Sequence, residues 1–124
     1  MNREEDRIQA AIVDWIAAVA PAVICYAVPN ASRRGAGGRA SNAVPGLRKG
    51  VFDLALVFQA RTQYGLPRPA FIEVKTDKGE LSDDQKAFRG ALVQMGVLHT
   101  VARSIDDVRA AFDLWGVPTR EHRS

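Results

Sequence analysis

The stretch FIEVKTDKGELSDDQ, residues 71–85, predicts a β-strand, a turn and the start of a helix. Side chains on a strand alternate between its two faces, so Phe71, Glu73 and Lys75 share one face. Burying a charge is costly unless the charge is paired or bound to a metal. An acid and a base two residues apart on an apolar strand therefore indicate either a structural ion pair or a functional site.

The helix is expected to begin after Ser82. Ser82 and Gln85 have the spacing of a capping box, and two acids next to the cap favour a helix start. Gly96 is expected to end this helix near Met95. Residues 97–102 then predict another strand, and a right-handed crossover makes the strands before and after the helix parallel.

The flanking residues predict the rest of the fold. An apolar stripe at helical spacing predicts a first helix over 3–19, and residues 104–115 predict the last helix. Residues 22–28 and 51–59 predict two strands, the second nearly all apolar, as expected for a central strand. The chain therefore predicts an α/β fold in the order α-β-β-β-α-β-α, with a mixed four-stranded sheet flanked by helices.

Length and composition indicate a single domain. A chain of 124 residues is long enough for one core, and 47% hydrophobic residues is ordinary for a globular protein. We expect the domain over residues 1–118 and a flexible tail over 119–124. No signal peptide pattern is visible, and the apolar run 15–28 is too short to span a bilayer. The expected location is therefore cytoplasmic, with no membrane partner.

Four charged residues on apolar elements predict a metal site. Asp53 interrupts the second strand, and Glu5 projects from the apolar stripe of the first helix. If the second and third strands are antiparallel neighbours, Asp53 converges with Glu73 and Lys75. Two carboxylates this close repel each other, and a divalent cation with oxygen ligands, Mg²⁺ or Mn²⁺, removes the conflict. The candidate metal ligands are Glu5, Asp53, Glu73 and the backbone carbonyl of Val74.

Lys75 has two interpretations beside such a site. It can orient a water molecule and offset the charge that develops on a phosphate. The alternative is an ion pair whose aliphatic stem is buried while its charged end reaches solvent.

The segment from residue 33 to residue 49 is basic and contains no acid. A basic, glycine-rich loop suits a phosphate backbone, and the alternative is a solvated loop without a ligand. The candidate DNA contacts are Asn30, Arg33, Arg34, Arg39, Arg48 and Lys49.

Taken with their order, these motifs are similar to those of a nuclease family. Asp53, followed twenty residues later by Glu73-Val74-Lys75, resembles the core of the PD-(D/E)xK nuclease superfamily. The wider set resembles the VRR-NUC family: EDRIQ at 5–9, VPN at 28–30, LRKGVFDLAL at 47–56, FIEVKTDKGELSDDQ at 71–85 and GVLHTVARS at 96–104. In one departure, Phe52 stands where the family usually has a proline that is not a ligand.

The resemblance implies a restriction-endonuclease-like core and a Mg²⁺-dependent (or Mn²⁺-dependent) DNA endonuclease. It assigns the helix-1 acid to Glu5, the motif aspartate to Asp53, the metal-binding glutamate to Glu73 and the catalytic lysine to Lys75. The family's glutamine on the following helix corresponds to Gln85, for which the capping box is a competing explanation.

The resemblance also suggests a substrate and an assembly. Small standalone relatives resemble dimeric resolvases of branched DNA, so we expect a homodimer that cuts four-way junctions or similar structures. The alternative is a non-catalytic DNA-binding subunit of a repair or phage replication complex.

Overall fold

The computed structural model describes residues 3–29, 45–61 and 65–121. The elements in this part of the chain follow the predicted order. They are α1 (Arg3–Val19), β1 (Ile24–Ala27), β2 (Leu54–Gln59), β3 (Pro67–Val74), α2 (Asp83–Met95), β4 (Leu98–Ala102) and α3 (Ile105–Trp115). Among these residues no helix is both long and apolar enough to cross a membrane.

The described strands form one mixed sheet in the order β1-β2-β3-β4. β2 runs antiparallel to both β1 and β3, and β3 and β4 are parallel. The predicted fold class is therefore confirmed, including the parallel pair that the crossover through α2 requires.

β2 begins later than the apolar pattern predicts, so Asp53 lies just before the strand rather than within it. Residues 51–53 are apolar or buried because they pack under α2, not because they belong to the strand. Phe52, for example, is fully buried against Phe88. The backbone of Asp53 still follows the sheet, because its carbonyl accepts the N–H of Val28 at 2.9 Å. Leu54 pairs with Ile72, so extending the register by one pair places Asp53 opposite Glu73.

β3 begins at Pro67, four residues before the predicted start. Its first residues pair with β2 only, since pairing with β4 starts where Ala70 meets Leu98. A proline has no N–H to donate, and a strand tolerates it where one side lacks a neighbour. Pro67 and Pro69 therefore lie where β3 has a neighbour on one side only among the described residues.

The two faces of the sheet are packed differently. Ile12 and Ile16 of α1 and Phe112 of α3 belong to the main core, together with inward side chains of β2 and β3. The opposite face carries a smaller cluster of Phe52, Phe88 and Leu92 under α2. Ile72 and Val74 point into the main core, so Glu73 lies on the face that α2 covers. The candidate site therefore lies between the sheet and α2.

Part of the predicted tail makes contacts. The N–H of Arg120 donates to the carbonyl of Val19 at 2.6 Å. The carboxylate of Glu121 accepts from Arg109 of α3 at 2.6 Å and from the indole N–H of Trp15 of α1 at 3.1 Å. Residues 119–121 are thus attached to two helices, while 122–124 lie outside the described residues. The domain bounds remain a prediction.

Gly50 allows the segment before β2 to touch α2. Its φ is +82°, and a Cβ added there would lie 2.4 Å from the backbone carbonyl of Asp84. Gly46 has a φ of +85°, but an added Cβ meets no atom of the described residues within 4 Å. We expect Gly50→Ala to lower the melting temperature much more than Gly46→Ala. Both variants strain the backbone by about 1–3 kcal/mol, and only the first collides with a neighbour.

Thermal unfolding of the two glycine variants measures this difference. Equal losses would mean that the segment moves away from α2 without cost.

Candidate active site

Two carboxylic side chains are buried next to each other at the end of β3. Asp53 and Glu73 are 3% and 1% exposed. Oδ2 of Asp53 accepts the backbone N–H of Val74 at 2.8 Å, which fixes the Asp53 side chain against the strand. The convergence expected from strand alternation is therefore present in the geometry.

The two oxygens of Glu73 have different surroundings. Oε2 accepts from Nε2 of Gln85 at 2.7 Å and lies 3.6 Å from Nζ of Lys75. Oε1 is buried, and with both carboxyls ionised no donor of the described residues reaches it. A cation, or a proton shared with Asp53, would satisfy this oxygen.

The protonation of Glu73 reflects this environment. Burial, followed by the charge of Asp53, raises the pKa of Glu73 from 4.5 to about 8, although Lys75 acts in the opposite direction. Without a cation the folded chain therefore favours the protonated carboxyl at neutral pH.

Gln85 caps α2 and also contacts Glu73. The capping box forms, because the N–H of Gln85 donates to Oγ of Ser82 at 3.1 Å and the N–H of Ser82 donates to Oε1 of Gln85 at 2.9 Å. The Ser82 N–H can only donate, so it must face the amide oxygen, and the amide nitrogen then faces Glu73. The cap thus orients Gln85 toward the carboxylate pair, and a catalytic role for Gln85 remains a prediction.

The donor set fits a hard divalent cation. Asp53 and Glu73 offer carboxylate oxygens, and one of these, Oε1 of Glu73, is buried with no donor among the described residues, which suits Mg²⁺ or Mn²⁺. Glu5 lies half-buried on α1. In the described ranges no three Asp, Glu, His or Cys residues cluster closely enough to hold a metal ion, so Glu5 is not grouped with this pair. The ligand roles of Glu5 and of the Val74 carbonyl remain predictions.

Comparison with known proteins identifies the family. The VRR-NUC domain profile matches residues 2–106. The chain belongs to the VRR-NUC family. A solved structure described as a VRR_NUC domain protein has the same fold, with a TM-score of 0.58 and 22% identity over 90% of this chain and 86% of that chain. A comparison with curated proteins gave no match.

Membership of the family indicates the general function of this chain. A VRR-NUC domain implies a nuclease-type, DNA-processing domain, and the family suggests the use of a divalent metal ion. The 22% identity to the solved structure supports the fold alone.

The described part of the basic segment of this VRR-NUC domain lies against α2, the helix that covers the candidate site. The guanidinium of Arg48 lies 5.4 Å from the centre of the Phe88 ring, and that ring packs on Phe52 at 5.3 Å. Arg48 and Lys49 are both exposed. The other predicted DNA contacts lie outside the described residues: Asn30, Arg33, Arg34 and Arg39.

Arg103 is a site neighbour to which sequence reasoning assigned no role. Its guanidinium donates to backbone carbonyls of the turn that follows Lys75. The available signal was its position directly after β4, the parallel neighbour of the strand that carries Glu73.

The raised pKa of Glu73 predicts how the stability of the metal-free VRR-NUC domain changes with pH. The contribution of Glu73 to the free energy of unfolding is fully present below about pH 4.5. It is lost as the pH rises through about 8, because the ionised carboxyl is buried beside Asp53. Each unit of pKa shift corresponds to about 1.4 kcal/mol. We therefore expect the stability of wild type relative to Glu73→Gln to fall over this interval.

Chemical denaturation in EDTA, at intervals across this pH range, measures the effect. Glu80→Gln, an exposed substitution of the same kind, is the control and should parallel wild type. A constant difference between wild type and Glu73→Gln would contradict the prediction.

Proposed function

We propose that this VRR-NUC domain is a Mg²⁺-dependent or Mn²⁺-dependent endonuclease that hydrolyses phosphodiester bonds in DNA. The observation that carries the proposal is the buried pair of Asp53 and Glu73 with Lys75 at 3.6 Å from Glu73. Crowding two acids in a buried site weakens folding, and it would also repel a phosphate. A domain that only bound DNA would gain nothing from this arrangement.

Asp53 and Glu73 would hold the metal ion, with Glu5 and the carbonyl of Val74 as further candidates. The ion would supply positive charge next to the phosphodiester and lower the pKa of a bound water.

The side chains of the domain have separate tasks in this proposal. The N–H of Val74 holds Asp53, and Gln85 holds Oε2 of Glu73, so both carboxylates keep their orientation. The Lys75 side chain is 11% exposed, and its ammonium lies 3.6 Å from Oε2 of Glu73. There it would orient the attacking water and offset negative charge on the phosphate. Arg48 and Lys49, exposed beside α2, would contact the DNA backbone.

The proposed substrate is a four-way junction or other branched DNA, and the proposed assembly is a cytoplasmic homodimer. Support comes from the resemblance to small standalone relatives. A non-catalytic DNA-binding subunit of a repair or phage replication complex remains the competing proposal, because the basic segment serves both.

A cleavage assay on DNAs of matched sequence tests the proposal. Single strands, duplex, flap and four-way junction are each incubated with Mg²⁺, Mn²⁺ or EDTA. We expect metal-dependent cleavage that is strongest on branched DNA and absent from Asp53→Asn purified in the same way. Equal cleavage by wild type and Asp53→Asn would indicate a contaminating nuclease. Binding without cleavage in either metal would favour the non-catalytic subunit.

A further inference from the structure

The turn after β3 folds back against the stem of Lys75. The N–H of Gly79 donates to the carbonyl of Thr76 at 3.1 Å, which closes the turn. A Cβ added to Gly79 would lie 3.4 Å from Cδ of Lys75 and 3.2 Å from Oγ1 of Thr76. The backbone of the turn therefore packs directly on the lysine side chain. The position of the turn therefore limits the positions open to the ammonium group of Lys75.

Arg103 holds this turn by its backbone. Nη1 of Arg103 donates to the carbonyl of Thr76, to that of Asp77 at 3.3 Å and to that of Gly79 at 2.7 Å. Hydrogen bonds from a charged donor are about twice as strong as those between neutral groups. One guanidinium nitrogen thus fixes the first and last residues of the turn.

The backbone at Arg103 and at the residue before it is held by two hydrogen bonds. The N–H of Arg103 donates to Oδ2 of Asp107, in the first turn of α3, at 2.8 Å. The residue before it, Ala102, accepts the N–H of Lys75 at 3.0 Å. Two consecutive residues at the end of β4 therefore hold the backbone of Lys75 and the turn that follows it.

We propose that Arg103 is a positioning residue that sets the place of the Lys75 ammonium relative to Glu73 through the turn 76–79. The inference rests on the proposed nuclease function, in which Lys75 faces the reacting phosphate. A displacement of about 1 Å near a reacting group can reduce the rate on the order of a hundredfold. Loss of Arg103 therefore slows cleavage of bound DNA and leaves DNA affinity unchanged.

The first measurement follows Lys75 without using activity. Arg103→Met keeps an unbranched stem and removes every donor, and Arg7→Met, exposed on α1, is the matched control. A soluble acetylating reagent modifies lysines, and mass spectrometry compares Lys75 with the exposed Lys86 of α2 in the same sample. Released from the turn, Lys75 is acetylated severalfold faster in Arg103→Met than in wild type and in Arg7→Met.

The second measurement separates binding from cleavage. With four-way junction DNA at saturation, Arg103→Met cleaves at least about tenfold more slowly, while its affinities for the junction and for Mn²⁺ match wild type. Arg103→Lys restores a positive donor group and recovers part of both the acetylation pattern and the rate. If Arg103→Met does not fold, Arg103→Lys is compared with wild type on the same two measurements.

The outcomes are distinguishable. Unchanged acetylation of Lys75 in folded Arg103→Met, or in Arg103→Lys when only that variant folds, overturns the inference even if cleavage falls. If the wild type never cleaves DNA, the proposed function fails, and the acetylation result still reports whether Arg103 places Lys75.

Discussion

Lys75→Met is expected to fold and to bind branched DNA, yet to cleave it at least about a hundredfold more slowly than wild type, the scale of a positioned catalytic group. The fold should survive because methionine keeps the aliphatic stem that packs against Gly79. Loss of the ammonium leaves Glu73 more easily protonated, since the charge of Lys75 lowers the pKa of Glu73. The protonated carboxyl is the form that a buried site accepts at least cost.

Single-turnover cleavage of a four-way junction, with binding measured separately, tests the role of Lys75. Lys78→Met is the matched control, because Lys78 is exposed in the same turn. Near-normal cleavage by a folded Lys75→Met would make Lys75 a structural partner of Glu73 only.

Asp53→Asn should remove metal binding while leaving the fold intact. The asparagine keeps a carbonyl oxygen that accepts the N–H of Val74, so the substitution preserves this bond while removing the charge and replacing the second oxygen with an NH2 group. Asp53→Ala would also leave that buried N–H without an acceptor, at a cost of about 1–3 kcal/mol. We expect the Mn²⁺ affinity of Asp53→Asn to fall by more than about a hundredfold, beyond the 10–100-fold typical of losing a supporting partner.

Titration calorimetry with Mn²⁺ measures this loss, and Asp83→Asn, an exposed acid at the start of α2, serves as the control. A separate consequence concerns protonation: without the charge of Asp53, the pKa of Glu73 should fall and the pH dependence of stability should weaken. Equal Mn²⁺ binding by wild type and Asp53→Asn would exclude Asp53 as a ligand.

The parts of the fold that depend on local chemistry were predictable from the sequence. The bounds of α1 follow from an apolar stripe, and those of α2 from Ser82 and Gly96, so prediction and structure agree. Strand ends depend on which neighbours pair and pack, and these were misplaced. Leu54 begins β2 and Pro67 begins β3 because of contacts across the sheet that no short pattern encodes.

The candidate site was also predictable only in its local features and not in its tertiary contacts. Alternation along β3 predicted that Glu73 and Lys75 share a face. The approach of Asp53 to them followed only with the further assumption that β2 and β3 are antiparallel neighbours, which the structure confirms. The contact of Arg103 with Gly79 joins a side chain to a backbone carbonyl 24 residues away. The position of Arg103 after β4 indicates that it lies near the site, but backbone carbonyls occur at every residue, so the sequence does not show which of them Arg103 binds. The attachment of Glu121 to Arg109 was missed because the two charges meet only after both α3 and the following segment are placed.

The capping box of α2 couples local unfolding of the helix start to the geometry of the carboxylate pair. Because one side chain both closes the first turn and holds Oε2 of Glu73, that turn cannot fray without releasing the carboxylate. Helix ends ordinarily open far more often than the whole molecule unfolds. In this domain such an opening would loosen the carboxylate pair, so at the proposed metal site the fraction of molecules with both carboxylates in place would follow the stability of a single helical turn. Hydrogen exchange at the backbone N–H of Gln85, which donates to Oγ of Ser82, measures the fraction of molecules in which this turn is open.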